Sequence, residues 1–375
     1  MRTLVGIASH VDHPFVGRVE RLDHSAGRPA RAFVIAHGET HADTELRAVG
    51  CTPQSEARRT IDNIEHLELL RERDVVEVHP SGHVIILLSS RSNDNRILLT
   101  DRCNCNCIIC PQVPPHATES RLALNRAILD FVAPSTETIV ITGGEPTTVP
   151  EELIEVLALC KCRLPDCRVE ILTNGAALED NRIVRNIAAV GHDGLSFHVP
   201  LYSDSSSLHD TITGTRSFYR TLNGLLNLAR CDQDIEIRTV VTALNYERLP
   251  QLAYFIARNL PFTSHVAFMG LEPIGRAMDN ISRVWIEPGE TLESLSSALH
   301  VLRRAGIASS IYGYQFCVLP ERLWQYSRRA ISDWKNSFLP VCTSCGLVAT
   351  CGGFFESQVS HYSRLVRPIR VGGAE

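Results

Sequence analysis

Four cysteines within eight residues, Cys103-Asn-Cys105-Asn-Cys107-Ile-Ile-Cys110, constrain this chain more than any other feature. Cys103, Cys107 and Cys110 have the spacing C-x3-C-x2-C. Three thiolates can bind three irons of a [4Fe–4S] cluster and leave the fourth iron open, whereas a cluster that only carries electrons is closed by four thiolates. The spacing therefore indicates a cluster that acts on a bound molecule. A zinc knuckle, or cysteines that are simply buried, is the alternative.

The composition is ordinary for a globular enzyme. The chain has 375 residues, 44% of them hydrophobic and 21% charged, with a formal net charge of -5. No basic run suggests a nucleic-acid partner, and no stretch approaches about eighteen uninterrupted apolar residues, so we expect no membrane span. Thirteen cysteines without a secretory signal favour metal binding over disulfides. We therefore expect a cytoplasmic, oxygen-sensitive protein.

The sequence divides into three predicted parts. Residues 1–94 contain short β-rich runs and one predicted helix from about Ser55 to Arg71, which together predict a small α+β domain. Residues 95–305 form the second part, and residues 306–375 form a C-terminal part with its own cysteines. The final twenty residues are predicted to be a loose tail.

The second part alternates strand-like and helix-like segments. Six β–α units in a row predict parallel strands with right-handed crossovers, and hence a partial (β/α)6 barrel related to the eight-unit TIM barrel. A flat, doubly wound sheet is the alternative architecture. The predicted strands are Ile97–Thr100, Thr138–Thr142, Arg168–Thr173, Gly194–Val199, Ile235–Thr242 and His265–Gly270.

A glycine-rich loop, Gly143-Gly144-Glu145-Pro146, follows the second predicted strand, and the cysteine run follows the first. In barrel-like α/β folds the active groups gather on loops after the carboxyl ends of strands. Two glycines allow the backbone to approach a ligand closely, and Glu145 can accept a hydrogen bond from an amine. The two loops together favour the cluster over zinc.

These two motifs resemble the signature of the radical S-adenosylmethionine enzymes. Leu172-Thr173-Asn174-Gly175, after the third strand, is similar to the Thr-Asn-Gly segment of that family. The segment from His209 to Phe218, His-Asp-x-Ile-Thr-Gly-x2-Ser-Phe, resembles a stretch common in its peptide-modifying branch. The resemblance covers roughly residues 95–351.

The resemblance implies a [4Fe–4S] cluster on Cys103, Cys107 and Cys110, with S-adenosylmethionine chelating the open iron. The reduced cluster would split the nucleotide into a 5′-deoxyadenosyl radical, which removes a hydrogen atom from the substrate. The protein's part is to position the cofactor and exclude side reactions. The implied cofactor-binding residues are Gly143, Gly144, Glu145, Pro146, Thr173, Asn174, Ser196, His198 and Arg238. Ser196, His198 and Arg238 have ordinary barrel positions as their alternative, and no catalytic residue on the substrate side is identified.

Two positions depart from the family pattern. The residue before the third cysteine is usually aromatic, and here it is Ile109. An extra thiol, Cys105, lies inside the motif and could compete as a ligand, although the spacing favours the other three cysteines.

A second set of cysteines, Cys317, Cys342, Cys345 and Cys351, follows the barrel and provides four thiolates. It resembles the shorter, one-cluster kind of auxiliary domain in radical maturases of ribosomal peptides, which implies a second [4Fe–4S] cluster. Structural zinc is the alternative. A third group, Cys160, Cys162 and Cys167, lies at a helix–strand junction, where we expect free packing cysteines.

Short phrases around the cysteines are similar to the radical maturases of the His-Xaa-Ser system, C type. They are Asn95–Cys103, Cys110-Pro-Gln112, Cys317-Val-Leu-Pro and Cys351-Gly-Gly-Phe-Phe. The resemblance implies a precursor peptide as substrate, a partner maturase and a flavodoxin- or ferredoxin-type electron donor. The N-terminal domain could recognise the peptide by adding it as a strand to a sheet edge. A radical enzyme acting on a small cofactor precursor, and a non-catalytic iron–sulfur scaffold or electron carrier, are the alternatives.

Overall fold

The structure is a computed structural model that describes residues 2–23, 31–39, 43–49, 51, 59–92, 94–112, 119–330 and 335–370. It separates into two compact units. The first comprises residues 1–99, 119–140 and 155–168, and the second comprises residues 100–118, 141–154 and 169–375. In the described residues, no helix is both long enough and apolar enough to cross a membrane.

The first unit contains an eight-stranded sheet whose two outermost strands follow each other directly in the sequence. Its strands are β1 (Arg2–Val5), β2 (Ile7–Ser9), β3 (Phe15–Asp23), β4 (Arg31–Ala36), β5 (Thr44–Ala48), β6 (Arg59–Ile64), β7 (Val75–Val78) and β8 (His83–Leu88). They are ordered β1-β8-β7-β3-β4-β5-β6-β2. Since a single residue, Gly6, separates β1 from β2, the sheet closes on itself as a small barrel.

Gly6 makes this closure possible. Its amide donates to the carbonyl of Gly82 at 2.9 Å. A Cβ at Gly6 would lie 2.5 Å from the carbonyl oxygen of Asp62, so a side chain there would displace β6. The interior is filled by alternate, fully buried strand residues, as expected where one face of each strand meets a core. They include Val19, Val34, Leu46, Ile61, Val76, Val78 and Val84.

The helix predicted around Ser55–Arg71 is wrong where the structure describes it. Residues 55–58 lie outside the described residues, Arg59–Ile64 is the strand β6, and Leu67–Leu69 is one 3₁₀ turn. Ile61 and Ile64 are buried in the barrel, and this tertiary burial overrides the helical preference of the Glu- and Leu-rich segment. Within 1–94 the described residues are therefore β with a 3₁₀ turn, rather than α+β.

The partial barrel is confirmed as a second eight-stranded sheet, ordered β16-β15-β14-β13-β12-β11-β10-β9. Its strands are β9 (Asp94–Leu98), β10 (Thr138–Thr142), β11 (Arg168–Leu172), β12 (Leu195–Pro200), β13 (Asp234–Val241), β14 (His265–Gly270), β15 (Ala308–Tyr312) and β16 (Ser327–Arg328). From β11 to β16 every neighbouring pair is parallel. Two strands, β15 and β16, extend the sheet beyond residue 305, where the barrel was predicted to end. Their short, polar sequences give little indication of a strand.

Helices alternate with these strands. They are α1 (Leu122–Phe131), α2 (Pro150–Arg163), α3 (Asn181–Val190), α4 (Ser206–Thr213), α5 (Phe218–Arg230), α6 (Leu249–Asn259), α7 (Arg276–Asp279), α8 (Ile281–Val284) and α9 (Leu292–Arg304). A two-stranded ribbon, β17 (Asn336–Ser337) with β18 (Phe354–Phe355), completes the described elements.

The strands of the second sheet have two different faces. Phe197, Ile237 and Phe268 point to the buried side and are fully inaccessible. The alternate residues on the same strands are polar. Ser196, Glu236, Arg238 and His265 are partly accessible, and His198 is buried. The polar face defines the interior wall of the partial barrel, and the loops after the carboxyl ends of the strands carry the cysteines.

Candidate active site

The first cysteines lie on one loop, residues 101–112, which we call the cysteine loop. Its backbone is held from two sides. Asn106 N donates to Thr213 O and Ile108 N donates to Ile212 O, both at 2.9 Å, and the amide of Arg276 donates to Cys110 O at 3.0 Å. The loop after β9 is thus fixed by segments that follow β12 and β14, so its thiols have a defined position.

Gly143 and Gly144 bring a second loop directly against the cysteine loop. Gly144 N donates to Thr100 O at 2.8 Å, and Glu145 N donates to Arg102 O at 2.7 Å. A Cβ at Gly143 would lie 2.4 Å from Thr100 O, and one at Gly144 would lie 2.2 Å from Arg102 O. Both glycines are therefore needed for this approach between two backbones, in addition to any approach to a ligand.

The Glu145 carboxylate joins the loops after the second and third strands of the sheet. It accepts hydrogen bonds from Thr147 N (3.0 Å), Thr147 Oγ1 (2.6 Å), Thr173 Oγ1 (2.5 Å) and Asn174 N (2.6 Å). Burial raises the pKa of this carboxyl group, while these hydrogen bonds oppose the rise. Both oxygens thus face protein donors, which gives Glu145 a positioning role in this structure.

Asn174 links the third strand's loop to the cysteines themselves. Its side-chain amide donates to Asn104 Oδ1 at 2.7 Å, and its carbonyl accepts from Thr221 Oγ1 at 2.9 Å. The next residue, Gly175, has φ 73°. Thr173 and Asn174, predicted as cofactor-binding residues, are therefore brought beside the cysteine loop.

The segment between His209 and Phe218 docks the cysteine loop. Gly214 ends α4 with φ 66°, and a Cβ there would lie 2.4 Å from Asn106 O. Asp210 Oδ1 accepts from the amides of Ser217 and Phe218, each at 2.9 Å, and so caps the start of α5. This motif thereby shapes the surface on which the loop rests.

The four thiols interact with one another. Burial raises the pKa of Cys103 to about 11, and the hydrogen bond with Cys107 lowers the pKa of Cys105 to about 7. The same hydrogen bond, with burial, raises the pKa of Cys107. Thr215 Oγ1 donates to Cys105 Sγ at 3.5 Å. Because iron binds thiolates, loading a cluster here must remove protons from Cys103 and Cys107.

The interior wall brings together the side chains of Ser196, His198 and Arg238. Such proximity is needed if the three contact one ligand. Arg238 donates to His198 Nδ1, and its Nε lies 2.5 Å from Glu236 Oε1. His198 Nε2 lies 3.2 Å from Ser196 Oγ. Burial and the charge of Arg238 lower the pKa of His198 to about 3, so this imidazole stays neutral. The guanidinium is held between two partners before any ligand arrives.

Sequence reasoning missed three residues that complete this arrangement. Glu236 holds Arg238, and His265 spans Glu236 (Nδ1, 2.7 Å) and Ser310 (Nε2, 3.0 Å). Arg276 contacts the cysteine loop through its amide and also donates to the Asn106 side chain. The pairing of Glu236 with Arg238 at i and i+2 on one strand was the available signal, since such residues share a face.

The second set of cysteines is brought together by the fold around β15–β18. Cys351 Sγ accepts from the amides of Phe316 (3.4 Å) and Gly353 (3.5 Å). Cys345 N donates to Cys342 O at 3.0 Å, and Cys317 and Cys342 both lie within electrostatic reach of Cys351. Cys317, distant in sequence, therefore joins the other three in space.

Two further predictions have outcomes in the described residues. In the third group Cys160 and Cys167 are buried, as predicted for packing cysteines, whereas Cys162 is exposed and does not pack. The loose tail is wrong for residues 356–370, where Gly346 N donates to Ile369 O at 2.9 Å and Ser363 is buried. Residues 371–375 lie outside the described residues.

The candidate metal ligands at both sites are cysteine thiols. Among the described residues, no three His, Cys, Asp or Glu side chains converge as ligands of one metal ion. In an iron–sulfur cube each thiolate binds a different iron, so the thiols surround a volume rather than a point. A loop of three thiols fits the open cluster, and the set of four fits a closed one.

Residues 97–256 match the sequence model of the Radical SAM superfamily. The matched region, which is less than half of the chain, is similar to that superfamily. Its members are enzymes that bind a [4Fe–4S] cluster and S-adenosylmethionine, and the barrel region of this chain shares those cofactors. The match spans the cysteine loop, the Gly143–Pro146 loop and the strands through β13.

The curated relatives match only part of this chain. A GTP 3',8-cyclase of Yersinia pestis is 30% identical over 136 residues, which is 35% of this chain and 40% of the relative. Molybdenum cofactor biosynthesis protein 1 of Drosophila melanogaster is 32% identical over 140 residues, 35% of this chain and 23% of the relative. The chain thus spans less than half the length of these two proteins. Among solved structures, Streptococcus suis SuiB bound to S-adenosylmethionine is 17% identical with a TM-score of 0.48, covering 62% of this chain and 51% of that one.

Proposed function

We propose that this protein is a radical S-adenosylmethionine maturase that modifies a ribosomally made peptide of the His-Xaa-Ser type. The observation that carries the proposal is the cysteine loop held backbone to backbone against the Gly143–Pro146 loop. The four cysteines gathered after the barrel support the maturase reading, since an auxiliary cluster accompanies the barrel in maturases of this kind.

Bound at the cysteine loop through Cys103, Cys107 and Cys110, the cluster and its nucleotide supply one-electron chemistry that removes hydrogen from an unreactive carbon. The protein's residues position that chemistry. The backbone of the Gly143–Pro146 loop binds the methionyl amino group, while Glu145 and Asn174 keep this loop in register with the cysteines. Cys105 is not a ligand in this proposal, because the C-x3-C-x2-C spacing favours the other three cysteines.

Ser196, His198 and Arg238 contact the ribose and the carboxylate of the nucleotide. His198 is neutral at physiological pH and Arg238 is charged, so the wall offers both a neutral hydrogen-bonding ring and a fixed cation. Glu236 keeps the guanidinium oriented. A guanidinium fixed in advance loses little side-chain entropy when it binds a carboxylate, which favours affinity.

A second cluster binds Cys317, Cys342, Cys345 and Cys351. A cluster held there by four thiolates would supply electron transfer or would anchor this part of the fold. The substrate would then bind at the first site. The electron that starts each cycle comes from a flavodoxin- or ferredoxin-type donor, and a partner maturase accompanies the reaction.

The N-terminal barrel recognises the precursor peptide by strand addition. Each half of its first strand pairs on one side in the described ladders, β1 with β8 and β2 with β6. The exposed Val5 and Ile7 flank Gly6 on this strand and offer apolar contacts. Replacing both by Glu should weaken peptide affinity about tenfold, whereas Tyr254→Glu, at an equally exposed apolar position on α6, should not. Equal affinity in both variants would remove the N-terminal barrel from peptide recognition.

Coexpression with a short His- and Ser-rich peptide encoded beside the gene tests the function. Mass spectrometry with analysis of residue configuration should show a peptide modification that depends on Cys103, Cys107 and Cys110. A loss of two hydrogens, no mass change or a larger loss separates crosslinking or oxidation, epimerisation and decarboxylation. An unmodified peptide from an enzyme that still cleaves S-adenosylmethionine would refute the peptide substrate.

A small-molecule substrate is the second candidate, because the curated relatives are named as GTP 3',8-cyclases or as a molybdenum cofactor biosynthesis protein. Incubating the reduced enzyme with GTP and S-adenosylmethionine tests it. Conversion of GTP would favour this candidate. Cleavage without any GTP conversion would leave the peptide as the better substrate class.

A further inference from the structure

The C-terminal segment 361–370, which we call the strap, contacts both the barrel and the second cysteines. At its start, the His361 and Trp285 rings pack with centroids 4.1 Å apart. The buried Ser363 donates its hydroxyl proton to Glu287, and the Leu365 side chain fills the space beside Gly289, where a Cβ would meet it at 2.6 Å. The strap is therefore fixed to the connection between α8 and α9.

At its other end the strap contacts sulfur. Ile369 N donates to Cys345 Sγ at 3.4 Å, and Ile369 O accepts from Gly346 N at 2.9 Å. These two bonds hold the backbone of residue 369 against the turn that carries Cys345. The backbone of Arg367 lies close to the Cys317 thiol at the same end of the strap.

The three amides that meet Cys351 and Cys345 form one pattern. Phe316, Gly353 and Ile369 each direct a main-chain N–H at a sulfur, at 3.4 to 3.5 Å. Amide donors stabilise negative charge on a sulfur, and hydrogen bonds to the sulfurs, together with solvent exposure, set the potential of an iron–sulfur cluster. The donor to Cys345 comes from the strap, which is remote in sequence from that cysteine.

We propose that the strap is the closing element of the second cysteine site, where the amide of Ile369 donates to Cys345 and the chain covers Cys345 and Cys317 from solvent. This inference rests on the auxiliary cluster of the proposed function. It assigns Ile369 as a positioning residue that acts through its main chain, so its side chain is replaceable and its N–H group is not.

The test separates the amide from the side chain. Ile369→Pro removes the N–H donor, and Ile369→Ala keeps it. Both variants are made in a protein in which Cys103, Cys107 and Cys110 are replaced by Ala, so that only the second site can bind a cluster. The reduction potential of the cluster, followed by electron paramagnetic resonance, should fall in the Pro variant, because the more negative reduced state loses a donor. It should stay unchanged in the Ala variant. Equal potentials in the two variants would overturn the proposal.

A second measurement needs no iron. In the full chain before reconstitution, alkylation of Cys345 and Cys317 is timed against the exposed Cys162. A chain ending at Ser360 should react at these two cysteines several-fold faster, while Cys162 reacts at the same rate. Unchanged rates would overturn the strap as a cover. Faster alkylation in a protein whose wild type binds no second cluster would uphold the strap and refute the auxiliary cluster instead.

Discussion

The two cysteine sites of this protein are stabilised in opposite ways. In the first site the backbone of the cysteine loop is bound by neighbouring loops, at Asn106, Ile108 and Cys110, and the one main-chain amide directed at a sulfur in the described residues of this loop, Cys105 N at Cys103, comes from the loop itself. In the second site main-chain amides are directed at the sulfurs of Cys345 and Cys351. One site fixes where the thiols are, and the other fixes their electrostatic surroundings.

This difference fits two kinds of chemistry. A cluster that binds a nucleotide needs one iron free and its thiols precisely placed, since small displacements of reacting groups are costly. A cluster that only exchanges electrons needs a suitable potential, which amide donors to sulfur provide. Changing each site alone tests whether the two sites differ in this way.

Removal of the first site should have the largest effect. Replacing Cys103, Cys107 and Cys110 together by Ala should abolish cleavage of S-adenosylmethionine and halve the iron content, because the second site keeps its own ligands. Iron analysis and 5′-deoxyadenosine formation measure both outcomes. Cys105→Ala is the matched control and should retain cleavage. Cleavage by the triple variant would refute the ligand assignment.

Removal of the second site should be less severe. Replacing Cys342 and Cys345 by Ala should lower the iron content by about half and reduce product yield, while the spectrum of the first cluster stays unchanged. The expected result follows from the separate backbone supports of the two sites. An unchanged iron content would mean that the second site holds zinc or nothing.

A smaller change should loosen the first site without removing a ligand. Gly144→Ala places a methyl group 2.2 Å from Arg102 O, so the two loops must separate. We expect on the order of 10²-fold slower cleavage, the cost typical of a displaced reacting group. Rates at saturating S-adenosylmethionine measure it. Thr148→Ala on the same loop should have little effect, and a wild-type rate for Gly144→Ala would remove the argument from loop contact.

The mildest test concerns the wall near the first site. In the folded protein the pKa of His198 is about 3, below its ordinary 6.5. Between these two pH values the imidazole is protonated in the unfolded chain and neutral in the folded one. Stability should therefore fall as pH drops from about 6.5 towards 3. Glu236 adds to this loss below its ordinary 4.5: burial raises its pKa, but His265 and Arg238 lower it to about 2.

Urea unfolding at pH 7, 5.5 and 4.5 measures that slope. His198→Gln should flatten it, whereas His300→Gln, at an exposed position on α9, should leave it unchanged. A slope that does not respond to His198→Gln would show that other groups control the acid sensitivity.

Much of the barrel could be predicted from sequence because its strands are short apolar runs between helical periods. Thr138–Thr142 and His265–Gly270 match the structure residue for residue. The cysteine loop and its Gly-Gly partner were visible because both are local motifs. β15 was missed because Ala308-Ser-Ser-Ile-Tyr312 has only a weak apolar pattern.

The contacts that complete each site could not be predicted. Three such contacts are Glu145 with Thr173, Arg276 with Asn106, and Ile369 with Cys345. The partners lie 28, 170 and 24 positions apart in the sequence, and only the folded sheet brings them together. The helix assigned around Ser55–Arg71 failed for the same reason, since its residues prefer a helix locally and a barrel strand globally.

The bend at Gly6 has a practical consequence for anyone who expresses this protein. One strand at the very start of the chain pairs with both ends of the N-terminal sheet, so an affinity tag or a truncation that disturbs the first nine residues would leave β6 and β8 each with an unsatisfied edge. Open edges of this kind recruit strands from other molecules. Trimming residues 1–9 should therefore give aggregates, whereas the untrimmed chain should stay monodisperse.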